Sequence, residues 1–227
     1  MDAEGFLADL EAKPQSLRSL AEAVDGGLLA QAGPFLDRRF RRYRLIGMGS
    51  SSYAAHVAAA RMRSLGLDAA AELASSRDGY PMDPDTLVVA ISASGATAEV
   101  LDALDRLDGH FPVLALTNQA GSPLSGRAGA VLPLTAGTQR GPIACRSFQH
   151  TGLLLHGLSI VWSGGLPRMA ARDVAVLAGR VADACDHLLS RREEWLPAAS
   201  TLLDGPQEVQ VLAPAERISS AQQSALT

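Results

Sequence analysis

Two short segments rich in Ser, Thr and Gly each stand between an apolar run of strand length and a helical pattern. They are Gly47-Met48-Gly49-Ser50-Ser51-Ser52-Tyr53 and Ser92-Ala93-Ser94-Gly95-Ala96-Thr97. Ahead of them lie Tyr43-Arg44-Leu45-Ile46 and Thr86-Leu87-Val88-Val89-Ala90-Ile91, aliphatic and β-branched runs that stop at Gly or Ser. Behind them, Tyr53 to Leu65 and Thr97 to Leu107 carry apolar residues at helical spacing. Each segment therefore opens a helix, where unpaired N–H donors and a partial positive charge favour an anion such as phosphate. Ser50, Ser51, Ser92, Ser94 and Thr97 add hydroxyl donors, and Gly49 and Gly95 allow close backbone approach. Ordinary N-capping is the competing reading, because Ser and Thr cap helices in any protein. Two such segments on neighbouring strands favour a ligand, since both open at the carboxyl edge where α/β folds bind.

The rest of the chain extends the same alternation. Glu4 to Phe40 reads as two or three helices punctuated by Pro14, Gly26-Gly27 and Gly33-Pro34. From Tyr43 the expected order is strand, helix, a short strand at Ala69 to Leu73, a strand at Thr86 to Ile91, a helix, a strand at Pro112 to Thr117, and a short strand around Ala130 to Leu134. Such alternation predicts an α/β fold with a parallel sheet covered on both faces. Gly137 to Arg146 reads as a loop, followed by helices over Ser147 to Trp162, Arg168 to Ser190 and Arg192 to Leu203. After Asp204-Gly205-Pro206, a strand at Glu208 to Leu212 and a helix from Ala215 are expected, the first half of another βα unit.

Composition narrows the function classes. Among 227 residues, 47% hydrophobic and only 4% aromatic, Ala, Leu and Val dominate, which favours a helix-rich α/β protein, and the length allows one large domain or a domain with an incomplete second one. A formal charge of -4 argues against general binding to nucleic acid or an anionic membrane. Lys13 is the sole lysine, so the chain offers almost no Schiff-base or general-base lysine. The basic run Arg38, Arg39, Arg41, Arg42 and Arg44 reads as a solvated helix end complementing the dipole rather than a phosphate patch. Cys145 and Cys185 have no CxxC or zinc-type spacing and read as buried or free thiols in a reducing cytoplasm. Met1 is followed by an acidic helical pattern and not by a signal sequence, which makes a cytosolic location the expectation. Thr151 to Trp162 is too short to span a bilayer and reads as a core helix. No His/Cys/Asp/Glu cluster has metal-ligand spacing. His56, His150 and His156 suit proton transfer in principle, but 150 and 156 do not share a helical face, so packed or surface roles are favoured. Glu99, in the first turn of its helix, is already accounted for by the helix dipole.

A third segment, Ala136-Gly137-Thr138-Gln139-Arg140-Gly141 with Arg146-Ser147-Phe148 behind it, completes an ordered set over roughly residues 43 to 165. That set resembles the sugar isomerase (SIS) domain family and, within it, the aminosugar-phosphate synthases, isomerases and deaminases. The helix Phe6 to Ala23, broken at Lys13-Pro14, is similar to the helical lead-in of that group. The resemblance implies an α/β/α sandwich on a five-stranded parallel sheet preceded by N-terminal helices, commonly two tandem copies that dimerise. It implies a lead-in at 1–42, a first SIS domain at 43–205, and the start of a second, truncated copy at 206–227. Ser50, Ser51, Ser92, Ser94 and Thr97 match positions that hold the phosphate and nearby sugar hydroxyls. With Gly49, Ala93 and Gly95 they form the expected phosphosugar-binding set; neither cofactor nor metal is implied. Acid and base groups for ring opening and proton transfer are expected beyond Thr227, in the second copy.

Departures from the family pattern shape the functional expectation. Ala93 and Ala96 stand where the family has Gln and Glu, Gln139 where an acidic residue is frequent, Ala144 where Ser is, and Arg146 where Lys is. With no glutaminase segment ahead of the lead-in, use of glutamine as an ammonia source is not expected. The leading reading is an aminosugar-phosphate isomerase or deaminase, a homodimer binding a small sugar phosphate. The alternatives are a non-catalytic sugar-phosphate sensor, which the missing polar side chains favour, and an α/β scaffold without a ligand.

Overall fold

The computed structural model describes residues 3–225 apart from 78, 80, 81, 206–208, 215 and 216. Two helices, α1 (Ala3–Glu11) and α2 (Lys13–Asp25), and a 3₁₀ segment, Leu28–Phe35, precede the sheet. Pro14 starts α2 from its first turn, where a missing N–H costs nothing. Five strands, β1 (Arg42–Gly47), β2 (Ala69–Leu73), β3 (Thr86–Ile91), β4 (Val113–Thr117) and β5 (Ala130–Pro133), form one parallel sheet in the order β2-β1-β3-β4-β5. Between and after them run α3 (Ser50–Ser64), α4 (Ala98–Arg106), α5 (Arg146–Trp162), α6 (Pro167–Ser190), α7 (Arg192–Leu203) and α8 (Ile218–Ser224). The expected five-stranded α/β architecture with helices at the N-terminus is the observed one. No helix among the described residues is long and apolar enough to cross a membrane.

Strand sequences explain the layering. Every residue of β3 and β4 is buried, as befits central strands covered on both faces, whereas β2 and β5 at the edges are only partly buried. Side chains alternate between faces: Leu87, Val89, Ile91, Leu114 and Leu116 pack with α2, α3, α5 and the 3₁₀ segment, while Val88, Ala90, Val113 and Ala115 pack with α4. Trp162 at the end of α5 closes the first layer by donating from Nε1 to the Phe35 carbonyl at 2.8 Å. Outside it, α6 lies against α2 and buries a stripe of Ala170, Val174, Ala178 and Ala182, four residues apart.

Three details differ from the sequence reading. α3 begins at Ser50 rather than Tyr53, because Gly49 (φ 49°, ψ -126°) turns the chain three residues earlier. The arginine run caps no helix: the 3₁₀ segment ends at Phe35, Arg38, Arg41 and Arg42 pair with Asp85, Asp83 and Asp68 around the amino end of the sheet, and Arg44 pairs with Glu72 of the neighbouring strand β2. The expected strand at Glu208 to Leu212 joins no sheet over Val209 to Leu212, Glu208 lying outside the described residues. Of the helix expected from Ala215, α8 is the described part, and its Ala221 is buried.

His150 on α5 is fully buried, with Nδ1 2.6 Å from the Leu134 carbonyl and Nε2 3.0 Å from Ser16 Oγ. A carbonyl only accepts, so Nδ1 carries the proton and Nε2 accepts from the hydroxyl. Burial pushes the pKa of His150 down to about 4, the Leu134 carbonyl opposing and the Arg146 charge assisting. Below pH 6.5 the unfolded chain binds a proton that the folded core excludes, so this residue lowers stability progressively between pH 6.5 and 4, by about 3 kcal/mol in all. His150→Gln should flatten that acid limb in urea titrations repeated at each pH; an unchanged slope would assign it to other groups.

Candidate functional site

In the order β2-β1-β3-β4-β5 the chain leaves β1 towards one edge and returns at β3 to proceed towards the other, so a crevice opens at the carboxyl ends of β1 and β3. The two Ser/Gly segments occupy that position. Gly47, the last residue of β1, stands opposite Ile91, the last of β3. A Cβ on Gly47 would lie 3.0 Å from Ser51 Cβ and 3.2 Å from Ser52 N, so only glycine lets the first turn of α3 fold back so closely onto the strand. Ser50 and Ser51 are half-buried in that turn. Ser52 is buried, with Oγ 3.3 Å from Nδ1 of the exposed His56.

The β3–α4 segment is pre-ordered by its own hydroxyls. Ser92, 2% exposed, places Oγ 2.7 Å from Thr97 Oγ1 and 3.4 Å from Ser94 Oγ, and accepts from Gly95 N–H at 3.1 Å. Ser94, exposed, accepts from Ala96 N–H at 3.2 Å. Ordinary capping is not how these residues are used. Gly49 is the N-cap of α3, and Thr97, the N-cap of α4, makes no side-chain cap hydrogen bond, its hydroxyl being turned to Ser92. The first-turn N–H groups of both helices therefore receive no oxygen from their cap side chains. Next to them sit neutral hydroxyls, the donor set an anion needs at a helix N-terminus.

The stretch after β4 holds this loop in place. Asn118 N–H donates to the Ala93 carbonyl at 3.0 Å and Leu124 N–H to the Gly95 carbonyl at 2.9 Å. Asn118 also ties in the third segment, its Oδ1 accepting from Ala136 N–H at 2.8 Å and its Nδ2 donating to the Gly137 carbonyl at 2.6 Å. Beyond that, Gln139 Oε1 accepts from Ser147 Oγ, and Arg146, 9% exposed, donates to the Thr138 carbonyl and, at 2.7 Å, to Asp9. Asn118 and Asp9 are residues the sequence did not mark: a lone Asn after a strand and an Asp inside a helix carry no motif.

Other candidates lie elsewhere. His156 pairs with Asp173 of α6 at 2.6 Å, and Glu99 is exposed on the first turn of α4. Burial raises the pKa of Cys145 ahead of the opposing influence of Lys13. A cavity of about 290 Å³ between α3, α5 and α8 is lined by Val57, Phe148, Leu153 and His156 and by none of the loop hydroxyls.

A model of the SIS domain family matches residues 38–160, and the chain belongs to that family. It is 29% identical over 216 residues to the glutamine–fructose-6-phosphate aminotransferase (isomerizing) of Aeropyrum pernix, covering 91% of this chain and 35% of that enzyme. The chain thus spans about a third of the length of the curated relatives it matches. Among solved structures, the C-terminal domain of glucosamine-fructose-6-phosphate aminotransferase from Francisella tularensis superposes with a TM-score of 0.79 at 17% identity, covering 98% of this chain and 65% of that one. Glucosamine-6-phosphate deaminase from Thermotoga maritima superposes with a TM-score of 0.63 at 18% identity, covering 98% and 65%. At such identities the superpositions establish the shared fold.

Gly95 is the position that tests the loop most directly. It has φ +64°, and a Cβ there would fall 2.1 Å from Ser122 Oγ and 2.8 Å from Thr117 Oγ1. Gly95→Ala should cost at least about 2 kcal/mol in chemical denaturation, from left-handed strain and overlap together. Unchanged stability would show that the 117–124 stretch is not the buttress described.

Proposed function

We propose that the crevice between the β1–α3 and β3–α4 segments binds a phosphorylated amino sugar or sugar, through Gly49, Ser50, Ser51, Ser92, Ala93, Ser94, Gly95 and Thr97. The observation that carries this reading is the pairing of two helix starts without side-chain caps, one beside a hydroxyl relay in which buried Ser92 meets Ser94 and Thr97. Ala93 and Ala96 put methyl groups in the relay, so the phosphate is held by Ser and Thr hydroxyls and backbone N–H groups. The reaction class we assign is aldose/ketose isomerisation or deamination of an aminosugar phosphate, as the names of the relatives support. Anchoring a non-reacting phosphate supplies orientation for ring opening and the C1–C2 proton shift. We place the acid and base groups in a second SIS copy, with residues 206–227 as its start, and the working unit as a homodimer in the cytoplasm. A sugar-phosphate sensor is the second reading, favoured by a β3–α4 loop that has no titratable side chain.

Thermal unfolding with hexose and amino-hexose 6-phosphates, against the unphosphorylated sugars, tests the site. Ligand at a hundred times its Kd should add about 2.7 kcal/mol, hence about 5–10 °C in Tm for a chain of this size. Ser92→Ala with Ser94→Ala should remove that shift while the protein still unfolds cooperatively. Stabilisation that ignores the phosphate, or survives both substitutions, would overturn the site. Ammonia release from glucosamine 6-phosphate then separates a deaminase from a sensor.

A further inference from the structure

α1 lies outside the residues matched by the SIS model, yet it reaches the third segment at the carboxyl edge. Asp9 on α1 is 2% exposed. Its Oδ2 accepts from two consecutive N–H groups, Arg140 and Gly141, both at 2.8 Å, and its Oδ1 accepts from Arg146 Nη2 at 2.7 Å. Arg146 in turn holds the Thr138 carbonyl. Gly141 is seated directly on the helix, since a Cβ there would lie 2.6 Å from the Phe6 Cα. One carboxylate from the other end of the chain therefore fixes residues 138–141, while Asn118 fixes 136 and 137.

The stretch 136–146 contains no Asp or Glu of its own, so the charge of buried Arg146 is balanced by Asp9. Two donors remain buried there without a hydrogen-bond partner among the described residues, Gln139 Nε2 and Arg146 Nε. Buried donors of that kind call for an acceptor. Their segment follows β5, two strands from β3, and strand spacing puts that about 10 Å along the edge from the proposed phosphate crevice. A bare phosphate at the crevice does not span that distance, whereas the polyol of a hexose phosphate extends towards it.

We propose that α1 is part of the ligand site, with Asp9 as the positioning residue that holds 138–141 where Gln139 and Arg146 meet the sugar end of the ligand. This rests on the phosphosugar reading above. The test measures two affinities by calorimetry on the full chain, for inorganic phosphate and for glucosamine 6-phosphate, in Asp9→Asn and in Asp9→Asn with Arg146→Gln. The double variant avoids a buried unpaired cation and keeps the test open should the single variant fail to fold. Inorganic phosphate affinity should stay unchanged, and that for the sugar phosphate should fall on the order of tenfold to a hundredfold. In the ligand-free variants, the Arg140 and Gly141 amides should also lose their hydrogen-exchange protection ahead of global unfolding. Equal loss of both affinities, loss of neither, or retained protection at those amides overturns the assignment of Asp9. A wild-type chain that binds neither ligand overturns the phosphosugar reading and this inference together, so the two failures are told apart.

Discussion

The parallel register of β1 on β3 is the constraint on which the site depends. It sets Gly47 opposite Ile91, so the two strands end level and their following segments leave the sheet side by side. The crossover through α3 and β2 runs to one side and that through α4 and β4 to the other, and the segments diverge into a crevice. Slipping β3 by a residue would exchange its two buried faces and turn Leu87, Val89 and Ile91 into the layer under α4, where the smaller Val88 and Ala90 pack. Packing far below the crevice thus determines where its hydroxyls stand.

Those hydroxyls are organised before any ligand arrives. A buried serine needs partners, and Ser92 finds them in Thr97 and the Gly95 amide, which leaves the relay directed along the rim and not into the helix it opens. Arginines are the more obvious way to hold a phosphate, but in the run at 38–44 Arg38, Arg41, Arg42 and Arg44 are committed to Asp and Glu partners and Arg39 to the Gly66 carbonyl. On the proposed reading, a crevice of neutral donors would hold a dianion by hydrogen bonds of about 1.5–3 kcal/mol each to the charged group, with the two helix dipoles adding to them. Such a site discriminates by geometry more than by net charge.

What the sequence made legible follows from how local each signal is. β3 is readable to the residue, because an unbroken β-branched and aliphatic run of strand length such as Leu87-Val88-Val89-Ala90-Ile91, ending at Ser92, fits a strand buried on both faces. The start of α3 was displaced by three residues because Ser50-Ser51-Ser52 has loop-like composition and only the backbone of Gly49 shows where the turn occurs. Val209-Gln210-Val211-Leu212 has strand composition but no place in this sheet. Strand formation depends on a partner, and here Leu212 stands 87% exposed. Leu202 and Leu203 on α7 are also exposed, an apolar surface of the kind that neighbouring structure normally covers.

The contacts of the candidate site divide in the same way, into local ones and ones that need the fold. Ser92, Ser94 and Thr97 announce themselves by spacing, since their contacts lie within five residues of one another. Asp9 does not, because its partners are 131 to 137 positions away and nothing in Leu7-Ala8-Asp9-Leu10 marks that carboxylate as buried. Arg146 shows the limit from the other side: its charge was visible, whereas its neutralisation by the first helix needed the fold. A family model that begins at residue 38 outlines the recurrent sheet and loops, but the physical unit that keeps 138–141 in shape begins earlier. Removing α1 would strip two amides and a guanidinium of their acceptor at once, so the lead-in and the sheet must be treated as one domain.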